Sequence, residues 1–237
     1  MITTSRERAG TAISANDLRI KRAVFTLREA AAYLGLPSST LHTWARPAGG
    51  TMPVITCFPA RGREATVPFI GFAEAYVLSA FRRAGVPMQR IRPAVKVLSS
   101  GIGVEHALAS RQLYTDGAEV LYDYAASEQD EELRGLTVVR TGQRQFAEVV
   151  HDYLKRVTYG NDGWASRVRL PVYQQAQVIV DPRRAFGMPL VVHGGARVED
   201  LVDRFVAGDT LADIAEDFGV PEPEVEDVVR VATRAAA

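Results

Sequence analysis

The stretch TLREAAAYLGLPSSTLHTWAR, residues 26–46, decides the fold of the N-terminal part of the chain. It opens with a capping box, in which the Thr26 hydroxyl accepts from the backbone N–H of Glu29. The Glu29 side chain reaches back to the backbone N–H of Thr26. Gly35 supplies the left-handed residue that ends a helix, and Pro37 prevents continuation. Between them, apolar side chains recur at helical spacing at Ala30, Ala31 and Leu34. This pattern predicts the first helix and the turn of a helix-turn-helix motif.

The second helix of the motif is predicted to start at Ser38, whose side chain can cap it. Leu41 and Trp44 lie three residues apart and should face the core. The opposite face is small, polar and neutral to basic, so it suits a major groove, where hydroxyl groups reach phosphates or base edges and arginine forks onto guanine. The predicted DNA contacts are Ser38, Ser39, Thr40, His42, Thr43 and Arg46.

A predicted β-hairpin follows in PVITCFPARGREATVPF, residues 53–69. Two apolar, strand-like runs flank the turn PARGRE, which places Arg61 and Arg63 at the tip. A hairpin directly behind a helix-turn-helix is typical of a wing, so we predict that Arg61 and Arg63 contact DNA. The alternative is a basic turn that contacts only solvent.

The next segment, residues 71–98, predicts two helices divided at Gly85-Val86-Pro87 and bearing a cluster of basic side chains. The order helix-turn-helix, hairpin and helix pair, with LSAFRRAGVPMQRIR at residues 78–92, resembles the DNA-binding domain of MerR-type regulators. The resemblance covers about residues 25–100 and implies a winged helix-turn-helix module that dimerises on palindromic operators. Many members of that family carry arginine where this chain has His42.

The middle of the chain predicts a small mixed α/β region. The acidic segment 127–135 is a candidate boundary, Asn161-Asp162-Gly163 predicts the turn of a hairpin, and VIVDP at 178–182 predicts a strand. Aromatic residues of this region either form a core or line a small-molecule pocket; they are Tyr114, Tyr122, Tyr124, Tyr153, Tyr159, Trp164 and Tyr173.

The helix-turn-helix framework recurs near the C-terminus, where ADIAEDFGVPEPEVEDV (212–228) matches residues 28–44 at an offset of 184 positions. The residues between the shared apolar, glycine and proline positions are acidic. From Glu199 to Asp227 the chain holds 11 acidic residues and one basic residue. Because carboxylates repel phosphate, we predict that this second copy does not touch DNA.

The acidic side chains at the start of the last helix allow two interpretations. Carboxylates there match the helix dipole and could lie in solvent. They could instead form a docking face for a protein partner with a basic surface. On that second interpretation the partner-binding residues are Glu222, Glu224, Glu226 and Asp227.

The segment 178–232 resembles the bacterial domain of unknown function 433, which occurs in antitoxins. The resemblance rests on Asp181-Pro182, Gly187-Met188-Pro189, Gly195-Ala196-Arg197-Val198, Ala207-Gly208 and the second helix-turn-helix framework; the family often has threonine at the position of Ala196. With the MerR-like head, this tail resembles VapB-type antitoxins. That resemblance implies repression of the protein's own operon and neutralisation of a VapC-type, PIN-type ribonuclease toxin.

The composition of the chain limits the classes of protein and of functional site that it can represent. The 237 residues are 47% apolar and 24% charged, which is typical of a soluble globular chain, and no membrane span or signal segment is evident. Residues 1–100 hold 14 Lys/Arg against 5 Asp/Glu, whereas residues 181–237 hold 6 against 12. The single cysteine, Cys57, and four histidines provide no zinc-ligand spacing, and no catalytic motif occurs. We therefore expect no metal, no cofactor and no enzymatic activity, and a cytoplasmic location.

The sequence predicts an α+β fold, mainly α: a mobile arm at 1–22, a MerR-like winged helix-turn-helix at 23–126, and a dimerisation or partner region at 136–237. The last part is expected to hold small strands and a C-terminal three-helix domain at 178–232. The predicted function is that of an antitoxin-type transcriptional regulator that binds operator DNA, as a homodimer. The alternatives are a MerR-like regulator that senses a small molecule and has no toxin partner, and an interaction scaffold that binds no DNA.

Overall fold

The computed structural model describes residues 14, 17–46, 53–60, 62, 64–84, 87–89, 91–92, 95, 106–111, 113 and 151–236. The N-terminal elements are α1 (Leu18–Lys21), β1 (Ala23–Phe25), α2 (Leu27–Leu34), α3 (Ser38–Ala45), β2 (Val67–Pro68) and α4 (Phe69–Arg83). The C-terminal strands are β3 (Val157–Tyr159), β4 (Ala165–Arg169), β5 (Val178–Val180) and β6 (Leu190–Val191). They are followed by α5 (Val198–Val206), α6 (Leu211–Phe218) and α7 (Glu222–Ala236), so the fold is α+β.

The predicted helix-turn-helix is confirmed in α2 and α3. Both hydrogen bonds of the capping box between Thr26 and Glu29 are present. Gly35 has φ 65° and ψ 37°, and the N–H of Leu36 donates to the Ala31 carbonyl over 2.9 Å, which closes the helix end. Ser38 does not cap α3, because Pro37 occupies the N-cap position and no side chain caps this helix.

The central helix α4 is buried on every side from Phe69 to Phe81. It packs against α1, α2, β2, β4 and the short 3₁₀ turn Ala107–Ala109. A helix this apolar can be stable only inside a core. The sequence predicted a helix here but not that this helix would be buried on every side. Beyond Pro87, residues Met88, Gln89, Ile91, Arg92 and Val95 are helical, as expected for the second helix of the pair.

The predicted wing differs from a regular hairpin. Residues 53–60 form no strand, and β2 pairs antiparallel with β1 instead. Among the described residues on either side of Gly62, one backbone hydrogen bond of 2.8 Å joins the two limbs, from the Phe58 N–H to the Thr66 carbonyl. The apolar run at residues 53–60 resembles a strand in sequence because its side chains pack on α4, but no neighbouring strand among the described residues pairs with it. Ile55 lies in the core, and Gly71 of α4 lies against the Thr56 carbonyl.

The C-terminal sheet is antiparallel, with the order β3-β4-β5-β6. Its first hairpin turns at residues 160–164 as predicted, with Gly163 at φ 81°. The predicted strand at 178–182 is β5, which lies between β4 and β6. Helices α5, α6 and α7 pack against one another. The buried side chains form one continuous cluster that runs from Phe25 through α4 and the sheet to Val228 of α7.

The end of the predicted mobile arm is part of this fold. Arg19 of α1 is 6% exposed, and its guanidinium pairs with Asp17 and with Asp162 in the turn of the first hairpin. It also donates to the Ala165 carbonyl over 3.3 Å. Residues 17–22 therefore include a helix that contacts the first C-terminal hairpin through Arg19. The boundary predicted at 127–135 lies outside the described residues.

Candidate nucleic-acid interface

Helix α3 presents the predicted polar face to solvent. Leu41 and Trp44 are buried, whereas Ser38, Ser39, His42, Thr43 and Arg46 are exposed and Thr40 is half-buried. The Thr43 hydroxyl donates to the Ser39 carbonyl over 2.9 Å, so its remaining capacity is as an acceptor. No carboxylate belongs to α3. The face therefore has the composition that a phosphate-lined groove accepts.

A surface groove of about 600 Å³ runs beside this face. It brings His42 and Arg46 of α3 together with Arg28 of α2 and with the turn around Gly62. Arg28 was not among the predicted contacts, although its place in the first turn of α2, outside the apolar stripe, was a signal for it. Glu64 also lines the groove, and it limits how closely a phosphate can approach on that side.

Arg61 and Arg63, the predicted contacts at the wing tip, lie outside the described residues. Gly62 between them adopts φ 71° and lines the groove. Gly62 therefore lies beside the exposed face of α3.

Two other arginines, from the basic cluster predicted at 71–98, hold the motif in place. Arg92 donates to the Thr43 carbonyl over 2.8 Å, and Arg83 donates to the Leu34 carbonyl over 3.4 Å. The Arg83 guanidinium also lies 5.3 Å from the centre of the Tyr153 ring. Cations at the carboxyl ends of helices stabilise the helix dipole. The sequence showed only a cluster of basic side chains here and gave no sign of these helix-end roles.

A buried polar cluster anchors the segment that leads into the groove. Glu74 of α4, 4% exposed, accepts from the Thr56 N–H over 2.6 Å, and its other oxygen lies 3.0 Å from His106 Nδ1. The neighbouring thiol of Cys57 is half-buried, and burial together with Glu74 raises its pKa to about 12. Cys57 therefore stays a neutral thiol at physiological pH.

The predicted partner-binding residues do not share one exposed face. Glu222 and Glu226 are exposed, but Glu224 and Asp227 are buried. One oxygen of Asp227 accepts from the N–H groups of residues 174, 175 and 176 over 2.7, 2.7 and 3.0 Å, and the other pairs with Arg230. Glu224 lies 2.5 Å from His193 Nδ1. The prediction is corrected for these two residues, whose carboxylates are used inside the fold.

Of the aromatic residues of the middle region, some lie in the core and one also lines a cleft. Trp164 and Tyr173 are buried in the core, and Tyr153 packs on Tyr76 with ring centres 5.4 Å apart. Tyr173 also lines a cleft of about 930 Å³ between α2 and helices α5 and α7. Tyr114, Tyr122 and Tyr124 lie outside the described residues.

Within the described part of the chain, no group of three or more His, Cys, Asp or Glu side chains is arranged to hold a metal ion. The same residues include no helix that is long and apolar enough to cross a membrane.

Comparison with known proteins agrees with this geometry. A family described as "Putative DNA-binding HTH domain" matches residues 23–95, the segment that contains α2, α3 and α4. The chain is also 45% identical over 228 residues to a protein of Mycobacterium tuberculosis (strain ATCC 25618 / H37Rv) named "Putative antitoxin VapB45". The match covers 90% of this chain and 95% of that protein. This chain belongs to the VapB-type antitoxin family.

The structural comparison extends over the same length. The X-ray crystal structure of Rv2018 from Mycobacterium tuberculosis is 41% identical to this VapB-type chain, with a TM-score of 0.75. The alignment covers 90% of this chain and 99% of that one. The VapB-type chain described here therefore shares its fold with a solved protein across both the helix-turn-helix and the C-terminal sheet and helices.

Proposed function

We propose that this protein is a DNA-binding antitoxin that represses its own operon and neutralises a PIN-type ribonuclease of the VapC class. The single observation that carries the proposal is the 45% identity, over 90% of the chain, to a protein named as an antitoxin. The exposed face of α3 supports the DNA-binding half, because its side chains are hydroxyl, imidazole and guanidinium groups beside a groove.

In this proposal the N-terminal motif docks on operator DNA. Arg46 and His42 face base edges, Arg28 and the wing residues Arg61 and Arg63 neutralise phosphates, and Ser38, Ser39, Thr40 and Thr43 complete the contact. MerR-type modules act as pairs on palindromic sites, so we propose that the protein binds as a homodimer. Phosphate neutralisation makes the affinity fall as salt rises.

The toxin-neutralising half is assigned to the acidic C-terminal helices. Glu222 and Glu226 remain exposed in the first turns of α7, and Asp213, Glu216 and Asp217 are exposed on α6. A nuclease that binds RNA carries a basic surface, and a carboxylate-rich face is complementary to it. Glu224 and Asp227 contribute by fixing α7 against the sheet and not by touching the partner.

One experiment tests both halves. The tagged full-length protein is captured from its native cells after mild cross-linking, and both the co-purifying protein and the co-purifying DNA are identified. We expect a PIN-type nuclease and the DNA upstream of the protein's own reading frame. An Arg46→Gln chain should keep the nuclease and lose most of the DNA, whereas an Arg156→Gln chain, changed at an exposed arginine outside the groove, should keep both.

Capture of the nuclease without DNA would contradict the repressor role, and capture of DNA without any nuclease would contradict the antitoxin role. The second result would favour a regulator that senses a small molecule. The observation behind that candidate is the cleft of about 930 Å³, which joins α2 of the DNA-binding motif to α5 and α7. A ligand there would change the mutual position of the two halves.

A further inference from the structure

The C-terminal half contains an unusual basic loop between β5 and β6. Residues 181–237 hold six arginines and no lysine in an otherwise acidic segment. Arg197 pairs with Glu199 and Asp200, Arg204 with Asp209 and Asp217, and Arg230 with Asp227. Arg183 and Arg184 are adjacent and exposed, and neither forms an ion pair with any residue that the structure describes. Arg183 acts on Asp17 only at longer range, where it helps to lower the pKa of that carboxyl, so both guanidinium groups remain available to a partner.

The same loop holds an aromatic ring in solvent. Phe186 is 72% exposed, the largest fraction among the exposed aromatic side chains of the described residues. Ala185 and Phe186 have φ of 44° and 57°, left-handed values that residues with a β-carbon avoid. Strain of this kind persists only where the surroundings impose it, and it concentrates at functional sites.

The surroundings impose this conformation through backbone hydrogen bonds. The buried Asp181 accepts from the Arg183 N–H over 2.9 Å through its side chain and from the Arg184 N–H over 3.0 Å through its carbonyl. Gly187 and Met188 donate back to Arg184 and Ala185 over 2.8 and 2.9 Å. The loop is thus a rigid turn that presents two guanidinium groups and a ring, and it does not need to reorganise to bind.

The loop lies against the DNA-binding half of the molecule. Gly187 packs on Val24 of β1, and the guanidinium of Arg22, directly before β1, lies 5.1 Å from the centre of the Phe186 ring. Met188 and Arg28 line the same cleft, and Arg28 also lines the groove beside α3. Through Met188 the loop therefore borders the cleft that reaches Arg28 at the edge of the groove, although Glu29, Glu199 and Asp203 also line that cleft.

The chain between Arg22 and the groove is short. Arg22 precedes Thr26, which lines the groove, by four residues, and these span at most about 14 Å. At 3.4 Å of duplex axis per base pair, this upper limit corresponds to at most about four base pairs. If a duplex seated on α3 extends toward β1, Arg22 is within that reach of it.

We propose that Arg183, Arg184 and Phe186, with Arg22, form a second contact with double-stranded DNA that flanks the site read by α3. The arginines neutralise phosphates, and the Phe186 ring packs on sugars or at the edge of the minor groove, as apolar side chains do in minor-groove contacts. This inference rests on the proposed DNA binding. It assigns a DNA contact to the C-terminal half of the chain, although the excess of acidic residues in that half predicts that it avoids DNA.

The test measures the dissociation constant of full-length protein for a fluorescent duplex taken from directly upstream of its reading frame, as a function of salt. For R183Q/R184Q we expect roughly tenfold weaker binding. The slope of log K against log salt should also fall by about 1.8 for each bound protomer, which corresponds to two phosphate contacts per protomer and twice that change for the homodimer. For F186S we expect weaker binding with an unchanged slope, because no charge is lost.

Two further variants separate this role from a structural one. R183K/R184K keeps both charges and should keep the wild-type slope. R111Q/R156Q removes two exposed arginines outside the loop and the groove, and should bind as the wild type does. Removing about four base pairs from each flank of the duplex should weaken the wild type more than it weakens R183Q/R184Q, which keeps only the contacts of Arg22 and Phe186.

Equal affinity and slope for R183Q/R184Q and the wild type would overturn the inference and leave the proposed function intact. Failure of the wild type to bind this duplex would overturn both. A 20-nucleotide single-stranded RNA is the competing probe: if R183Q/R184Q loses binding to that RNA while duplex binding is unchanged, the loop is a single-strand site and the inference is wrong.

Discussion

At the scale of single residues, the surroundings of each charged side chain decide what it contacts. The sign of its charge alone does not. Arg46 and Arg28 border the groove, while Arg83 and Arg92 donate to helix-end carbonyls and Arg19 is buried between two carboxylates. Among the acidic residues, Glu226 is exposed while its neighbour Asp227 is buried under the loop 174–176. Adjacent side chains on a helix point about 100° apart, so neighbours in sequence can serve entirely different roles.

The first stability prediction concerns Asp227. Its carboxylate satisfies three backbone N–H groups and the Arg230 guanidinium in a buried site, so D227N would leave a donor facing donors and a cation without its partner. We expect the free energy of unfolding to fall by about 3 kcal/mol. The matched variant E226Q, at the exposed neighbouring position, should change it by less than about 0.5 kcal/mol. Chemical denaturation measures both, and equal losses would contradict the structural role.

At the scale of elements, the helix-turn-helix framework occurs twice in the chain. Helices α2 and α6 both have eight residues, both are capped by a threonine (Thr26 and Thr210), and both end at a left-handed glycine (Gly35 and Gly219) exactly 184 positions apart. The bonds that close them correspond as well, from Leu36 to Ala31 over 2.9 Å and from Val220 to Ala215 over 3.0 Å. The shared apolar, glycine and proline positions determine this geometry, and the variable positions determine what each copy can contact.

The two glycines provide a matched pair of substitutions. At Gly219 an added β-carbon would meet nothing within 4 Å, so G219A should lose only the left-handed backbone preference, about 1 kcal/mol. At Gly35 the same carbon would lie 3.3 Å from both the Arg83 guanidinium and a Val172 methyl group. G35A should therefore cost about 1 kcal/mol more, because those neighbours must move. Thermal denaturation of the two variants compares them directly, and a larger loss for G219A would contradict the packing at Gly35.

At the scale of the whole molecule, the described residues are joined by contacts between distant parts of the chain. Arg19 of α1 binds Asp162 of the β3–β4 turn, Tyr76 of α4 donates to the Tyr153 carbonyl over 3.0 Å, and His106 lies beside both Glu74 and Trp164. The core is one cluster across these contacts. We therefore expect the two halves of the chain to unfold together.

The contact between Arg19 and Asp162 predicts a pH dependence. The hydrogen bond from Arg19 lowers the pKa of Asp162 in the folded protein, so the unfolded chain takes up the proton first as the pH falls. The stabilisation is complete above the unfolded pKa of about 3.9 and is lost as the pH falls through the lower folded value. D162N should destabilise the protein by about 1 kcal/mol or less at pH 7, because the Asp162 side chain is 39% exposed and water screens the pair.

The difference between D162N and the wild type should then shrink below about pH 4. Asp152, whose pKa is lowered chiefly by a hydrogen bond from Lys155, is the control: its side chain lies in solvent, so D152N should have little effect at any pH. Urea denaturation from pH 3 to pH 7 provides the measurement. A pH-independent difference for D162N would show that the charge of Asp162 does not contribute.

The sequence by itself determined the features that depend on neighbours along the chain: the capping box, the left-handed glycines, the two inward apolar positions of α3 and the turn at residues 161–163. These follow from local hydrogen bonding and periodicity, which a short stretch specifies completely. Only the tertiary structure decided that β2 pairs with β1, that Asp227 is buried, that Arg28 joins the groove, and that Phe186 and its arginines lie beside the DNA-binding half. Those outcomes depend on which distant surfaces pack together, because burial and pairing are set by partners that a local pattern does not contain.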